Sequence, residues 1–419
     1  MKNATRQQLE EAIAENHRQL FKLSAIAKGG EVVTDGGLSY TWSPDESASV
    51  LFPELTAANA SELLDDMMAY YRQHPASNIG YWSLEPRQPA DVGARLLARG
   101  FQAGWEPYWM AIDLDEIRDD HAKPEGLEIR IDNDIDVRDV KGLPYADSKT
   151  MPDIFFHKYP NRAQRFVAYL DGHIVGHTNA FFSPGEQGVT GLYNVGVLPH
   201  LQRKGIGKAL IVAACRFAKE RGYQYATLNA NHMGRGLYEQ VGFAGVSHGI
   251  TWWIVNLDYF VKPPATKLVK LAEAVGLGDI AALEDLGAQF TVAELNAPMI
   301  NNMTLIQMAS FCRQPAAAEW LIDHGAFCTV LDVWDLGWKD RAHALLVANR
   351  DEVNRRYYEW EGTLLHIAAM RNDLELAKLA LAHHADITIK DRDHDSTAVS
   401  WAYYFKRDEM IRLISNSTN

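Results

Sequence analysis

Cysteine is scarce in this chain and paired cysteine spacing is missing: Cys215, Cys312 and Cys328 stand far apart among apolar neighbours. That excludes a disulfide framework and a cysteine-based zinc site, and predicts reduced, mostly buried thiols. Long apolar runs are missing too. The strongest, Ala209 to Ala218, contains Cys215 and Arg216 and is too short to span a bilayer, so no membrane segment is expected. The amino terminus, Met1-Lys2-Asn3-Ala4-Thr5-Arg6, leads into a polar helical pattern without the apolar core or cleavage site of a secretion signal. With reduced thiols, this predicts a cytoplasmic protein. Positive charge is in deficit: 41 Lys and Arg face 54 Asp and Glu, a formal net charge of −13. Such a surface repels nucleic acid and anionic membranes, so neither is expected as a partner, and cationic ligands are mildly favoured.

What is present fits a globular protein. Apolar residues make up 47% and charged residues 23%, and 419 residues exceed what one core usually serves, so two or three domains are expected. Composition changes after Asp113-Leu114-Asp115-Glu116 and again at Lys262-Pro263-Pro264. The resulting segments are 1–118, 127–260 and 265–419.

The middle segment alternates strands and helices. Leu127 to Ile131 reads as extended, and Arg165 to Leu170 and His173 to Phe182 are two β-rich runs joined by the hairpin signal Asp171-Gly172. Gly191 to Val197 then precedes Gln202-Arg203-Lys204-Gly205-Ile206-Gly207-Lys208, and an amphipathic helix follows from about Gly207 to Arg221. Glycines at a strand-to-helix join let successive amides converge on one anion, the helix start adds unsatisfied donors, and Arg203, Lys204 and Lys208 add cations. The group suits a pyrophosphate. The third glycine of a dinucleotide-binding turn and the Lys-Ser/Thr ending of a P-loop are both missing.

In context this stretch resembles the Gcn5-related N-acetyltransferase (GNAT) family, whose Gln/Arg-x-x-Gly-x-Gly/Ala signature follows a strand ending in Val-x-Pro. Here Val197-Leu198-Pro199 and Gln202 to Gly207 supply both. A second family pattern appears as Asn231, Gly234, Tyr238, Gly242 and Phe243, with glycine where alanine is commoner at 234. The resemblance covers about residues 127 to 257 and implies an α/β (α+β) GNAT acyltransferase fold that uses acetyl-CoA as co-substrate. It implies that the amides of residues 203 to 208 hold the coenzyme A pyrophosphate, with Gln202 and Ile206 part of that loop. The backbone near Gly196 and Val197 would pair with the pantetheine arm and polarise the thioester, Asn231 would contact the same arm, and Tyr238 would protonate the departing thiolate. No metal site is expected. The usual glutamate base is missing from Leu192-Tyr193-Asn194; Asp153, His157 and His177 are candidates, and direct attack by a neutral amine stays open.

The first segment mirrors the end of the second. Arg99-Gly100-Phe101 leads to Trp109 to Leu114, as Val241-Gly242-Phe243 leads to Trp252 to Leu257, which predicts a tandem whose first half is a degenerate GNAT-like copy without the cofactor loop. The last segment is helical. Glu361 to Ala369, Asn372 to Ala377 and His384-Ala385-Asp386 resemble the ankyrin pattern, with a weaker copy from Met303 to Ala326 and an irregular unit from Trp338 to Arg355. An all-α ankyrin-repeat solenoid of four or five helix pairs is expected, in which His366 ties turns together and Asp386, Asp391, Asp393 and Asp395 are available to a cationic partner.

Two functions follow from these readings. One is an N-acetyltransferase acting on an amine-bearing small molecule or protein, with an ankyrin module for a partner or substrate. The other is a non-catalytic acetyl-CoA-binding or sensing protein that acts through its repeats.

Overall fold

A computed structural model of the chain describes residues 3–231, 233–255 and 262–417. It divides into two compact units, Met1–Pro264 and Ala265–Asn419. Helix α1 (Arg6–Ala27) opens the first, started by a capping box in which Thr5 and Gln8 exchange side-chain and backbone bonds. Then come β1 (Glu31–Asp35), β2 (Leu38–Trp42), β3 (Ser47–Leu51), α2 (Ala60–Gln73), β4 (Asn78–Leu84), α3 (Val92–Ala98), the short β5 (Gln102–Ala103) and β6 (Tyr108–Asp113). A second passage follows: β7 (Leu127–Ile131), α4 (Asp153–Lys158), β8 (Ala163–Leu170), β9 (His173–Phe182), β10 (Thr190–Val197), α5 (Ile206–Glu220), β11 (Tyr225–Ala230), α6 (Arg235–Val241) and β12 (Ala244–Ile254). Asp171 and Gly172 both adopt positive φ, 51° and 80°, as a two-residue β8–β9 turn requires.

Both passages run strand, helix, strand, helix, strand, and in each the first two strands are parallel, β3 with β4 and β10 with β11. The duplication read from two chain joins therefore extends to a tandem order of five elements. Its expected strand end at Asn256 and Leu257 lies outside the described residues, as do positions 256–260 of the 127–260 segment.

The closing strands are exchanged. The 12-stranded sheet runs β1-β2-β3-β4-β12-β6-β11-β10-β9-β8-β7, with β5 beside β12. Strand β6, the end of the first passage, pairs along its whole length with β11 of the second, from Tyr108↔Ala230 to Asp113↔Tyr225. Strand β12, the end of the second, pairs with β4 from Gly249↔Leu84 to Ile254↔Ile79. The earlier part of β12 also pairs with β6, so the two exchanged strands meet at the centre. A division at residues 118–127 thus runs inside one sheet, not between two. Sequence spacing shows that a strand exists, but not which neighbour takes its hydrogen bonds.

Alternation along the strands builds two cores. Ala180 and Phe182 face α5 with Leu192, Leu210 and Ile211. Phe181, one step out of phase, packs with Leu20, Phe155 and Phe156 of α1 and α4. Helix α1 also keys the exchanged centre. Its His17 ring lies 4.8 Å from Trp109, 5.0 Å from Tyr193 and 5.5 Å from Phe52. Complete burial holds the His17 pKa down to about 3, against a weaker opposing effect from the backbone at Ile13. Asn16 donates to the carbonyls of Phe181 and Val189 and accepts from the Tyr193 hydroxyl at 2.6 Å.

The second unit is helical. Among the described residues five helix pairs follow one another: Thr266–Leu277 with Ile280–Gly287, Leu305–Phe311 with Pro315–Asp323, Val330–Asp335 with Lys339–Ala348, Leu364–Arg371 with Leu374–Ala382, and Ala398–Tyr404 with Asp408–Asn416. The stretch expected to be irregular, Trp338 to Arg355, begins with the second helix of a regular pair, whose first helix is started upstream by a capping box of Thr329 and Asp332. His366 ties turns as expected: Nδ1 accepts from the Thr363 amide at 3.2 Å and Nε2 donates to the Ser396 carbonyl at 3.0 Å. Three of the four aspartates are already engaged rather than free for a cationic partner. Asp391 is buried and accepts from Trp401 and from the His394 and Ser396 amides, while Asp393 and Asp395 pair with Arg392 and Lys390. Among the described residues no helix is long and apolar enough to cross a membrane.

Candidate functional site

Parallel β10 and β11 share only two residue pairs, Thr190↔Ala226 and Gly191↔Thr227. Beyond them the strands diverge, and Leu192–Val197 leaves an edge of backbone donors and acceptors facing a wedge. In the first passage the corresponding strands stay paired from Ser47↔Asn78 to Leu51↔Trp82, and the Phe52 amide adds a further bond to the Trp82 carbonyl at 3.0 Å. The first wedge is closed where the second is open.

The register of β10 against β9 shifts between Tyr193 and Gly196, with Asn194 at φ 57° inside this bulge. Gly196 has no space for a side chain, since a Cβ there would collide with the Pro144 carbonyl. After β10, the Gln202 side chain donates back to the Val197 carbonyl at 3.2 Å, fixing where the loop starts. Arg203 and Gly205 both take left-handed backbone, φ 63° and 87°. Helix α5 begins at Ile206 with Gly205 as its cap and no side-chain cap bond. The Ala209 amide closes the first turn on Gly205 at 3.0 Å, so the amides just before it stand outside the helix ladder. Gln202, Arg203 and Lys204 are exposed and Lys208 is half-buried, whereas the Ile206 side chain enters the core, leaving its backbone as its only route to a ligand.

At the other wall, Asn231 follows β11 and its Oδ1 accepts from the Gly234 amide at 2.7 Å, which starts α6. A Cβ at Gly234 would stand 3.1 Å from the Tyr238 ring and 3.3 Å from Asn231 Oδ1, so glycine eases a crowded turn here. Tyr238 is 9% exposed. Burial, reinforced by the Tyr145 phenol, pushes its hydroxyl up to about 12, so it carries its proton at neutral pH.

Residues 133–243 match the family model described as Acetyltransferase (GNAT) family. This stretch is a GNAT-family domain. Residues 362–392 match the Ankyrin repeat model. No curated protein sequence matches the chain. Among solved structures, a GCN5-related N-acetyltransferase from Kribbella flavida is 17% identical, with a TM-score of 0.45 over 59% of this chain and 96% of its own. A tandem GNAT protein from the clavulanic acid biosynthesis pathway is 15% identical, with a TM-score of 0.41 over 58% of this chain and 94% of its own. A GCN5-related N-acetyltransferase from Sphaerobacter thermophilus is 18% identical, with a TM-score of 0.37 over 60% and 93%.

Within the GNAT domain the three base candidates part company. Asp153 has both oxygens engaged, by Arg165 at 2.7 Å and Arg138 at 3.2 Å. His157 is exposed, 3.8 Å from Asp134, on the surface of α4. His177 is buried in β9, directly opposite Gly196 at the bulge. Asn179 and Asn194, which sequence reasoning passed over, share this region. The signal was visible as Gly176-His177-Thr178-Asn179, a polar interruption of an otherwise apolar strand.

Proposed function

We propose that the first unit is an acetyl-CoA-dependent N-acetyltransferase acting by direct acyl transfer to an amine. The observation that carries this reading is the uncapped start of α5, placed at the mouth of the wedge between β10 and β11. Left-handed backbone at Arg203 and Gly205 makes the concave run of amides that an oxyanion group fits, and the helix dipole adds to it. Residues 203 to 208 would hold the pyrophosphate through these amides, helped by the Arg203, Lys204 and Lys208 charges. The β10 edge at Gly196 and Val197 would pair with the amides of the pantetheine arm, and an amide freed by the bulge would polarise the thioester carbonyl. Asn231 would offer its Nδ2 to the same arm. Bound acetyl-CoA would supply an activated acyl group and a thiolate leaving group. Tyr238 would give its hydroxyl proton to the departing sulfur. The acceptor is an amine-bearing small molecule or a protein amine, and the ankyrin-type unit offers a surface for a protein partner or substrate. Free cysteines at 215, 312 and 328 fit a reducing, cytoplasmic setting.

Replacing Tyr238 by phenylalanine tests this division of labour. The ring packing is kept and the proton is lost, so kcat is expected to fall about 10²-fold while acetyl-CoA affinity, measured by calorimetry, is unchanged. An unchanged kcat contradicts the role of Tyr238.

A further inference from the structure

Buried polar side chains in β9 do not all find partners. His177, Thr178 and Asn179 are 1%, 0% and 2% exposed. Thr178 is satisfied, its hydroxyl donating to the Tyr193 carbonyl at 3.0 Å. His177 is half satisfied. Its Nε2 lies 2.9 Å from the Pro144 carbonyl, which accepts only, so the proton resides on Nε2 and Nδ1 keeps a bare lone pair. Among the described residues Nδ1 has no partner, and neither have Asn179 Oδ1 and Asn194 Nδ2, both buried atoms in the same part of the sheet. Groups of this kind are ordinarily paired. The three orphans flank the bulge where β10 turns its backbone toward the wedge: Asn179 is opposite Tyr193, His177 is opposite Gly196, and Asn194 lies between.

We propose that His177 is the base of acyl transfer, taking a proton from the acceptor amine through Nδ1. This rests on the N-acetyltransferase reading. The acceptor nitrogen forms its bond to the acetyl carbon as the carbon–sulfur bond breaks. Two protons leave the original ammonium nitrogen. One passes to Nδ1 of His177, which releases it after the products leave; the other replaces the hydroxyl proton that Tyr238 gives to the sulfur. The surroundings favour the neutral ring this needs. Burial is the main influence lowering the His177 pKa, the Pro144 bond opposes it, and Arg165 of β8 lowers it further. Arg165 is itself paired with Asp153 of α4, which tempers its charge. The Tyr193 and Tyr145 phenols, on β10 and beside Pro144, are the other titratable groups nearby. Pro144 and Tyr145 also link the two ends of the reaction, one holding His177 and the other influencing Tyr238.

His177→Gln keeps an amide donor for the Pro144 carbonyl and removes the basic lone pair. Its kcat is expected to fall about 10²-fold, with acetyl-CoA affinity and melting temperature close to wild type. The wild-type pH profile of kcat/KM is expected to show an acid limb, displaced below the ordinary imidazole range, that the variant lacks. Added imidazole is expected to restore turnover to His177→Ala in a saturable way. Nitrogen NMR of the ligand-free protein is expected to show the Nε2–H tautomer at His177, a readout independent of turnover. Turnover by His177→Gln within about threefold of wild type, a binding-competent His177→Ala that imidazole does not rescue, or a proton found on Nδ1 each overturns the proposal while leaving the enzyme reading standing. A wild-type protein that acetylates no amine overturns both.

Discussion

Replacing Gly205 by valine is expected to weaken acetyl-CoA binding by about 10³-fold, an estimate that follows from losing about three amide bonds to a charged group at roughly 1.5 kcal/mol each. Gly205 holds φ 87°, where a β-branched residue is strained, and its Cβ would collide with the Ala122 carbonyl. Relief on either count turns the amides at the start of α5 away from their common focus. Gly172→Asn is the control: Gly172 also has positive φ, at 80°, but stands in open space, and asparagine tolerates that conformation. Calorimetric titration with acetyl-CoA should show the loss in the first variant and none in the second. Equal affinities would separate the loop from the cofactor.

The other large effect concerns the exchanged strands. Trp109→Ala is expected to destabilise the first unit by about 4 kcal/mol, the cost of emptying a fully buried indole site. Trp109 belongs by sequence to the first passage, is 0% exposed, and packs with Ile13, Phe52, Ala111 and Val246. Its strand is hydrogen-bonded to β11 of the second passage. Opening should therefore expose Cys215, which is buried on α5. Its rate of modification by a thiol reagent is expected to rise about 10³-fold in the variant, with the modified site assigned by mass spectrometry. Trp109→Phe should cost much less, because it fills most of the site and removes an indole N–H that is buried without a partner among the described residues. Unchanged Cys215 protection in Trp109→Ala would mean that β6 stabilises the first passage alone.

These two cases show what local pattern does and does not encode. The glycine loop was legible because anion binding at a helix start needs particular residue types at fixed spacing, and Gln202 to Lys208 has them in order. Strands β7 to β10 were legible from alternation and one turn, and the duplication from matched joins at Phe101 and Phe243. The exchange of β6 and β12 was not legible, since a strand's residues mark which face is buried while its partner is chosen by long-range packing. The regular helix pair at 330–348 was missed because its start depends on Thr329 and Asp332, upstream of the stretch that looked irregular. The distinction among Asp153, His157 and His177 needed three-dimensional accounting of partners: two arginines occupy the first, the second is exposed beside Asp134, and among the described residues the third retains a buried, unpaired nitrogen.

The most direct measurement is release of free thiol from acetyl-CoA by the full chain over a panel of small primary amines and lysine peptides. Thiol release accelerated by at least one amine, with a matching mass gain of one acetyl group on that amine, is the predicted result. Saturable coenzyme A binding with no amine able to accelerate thiol release would contradict the enzyme reading and leave a protein that binds the cofactor without using it.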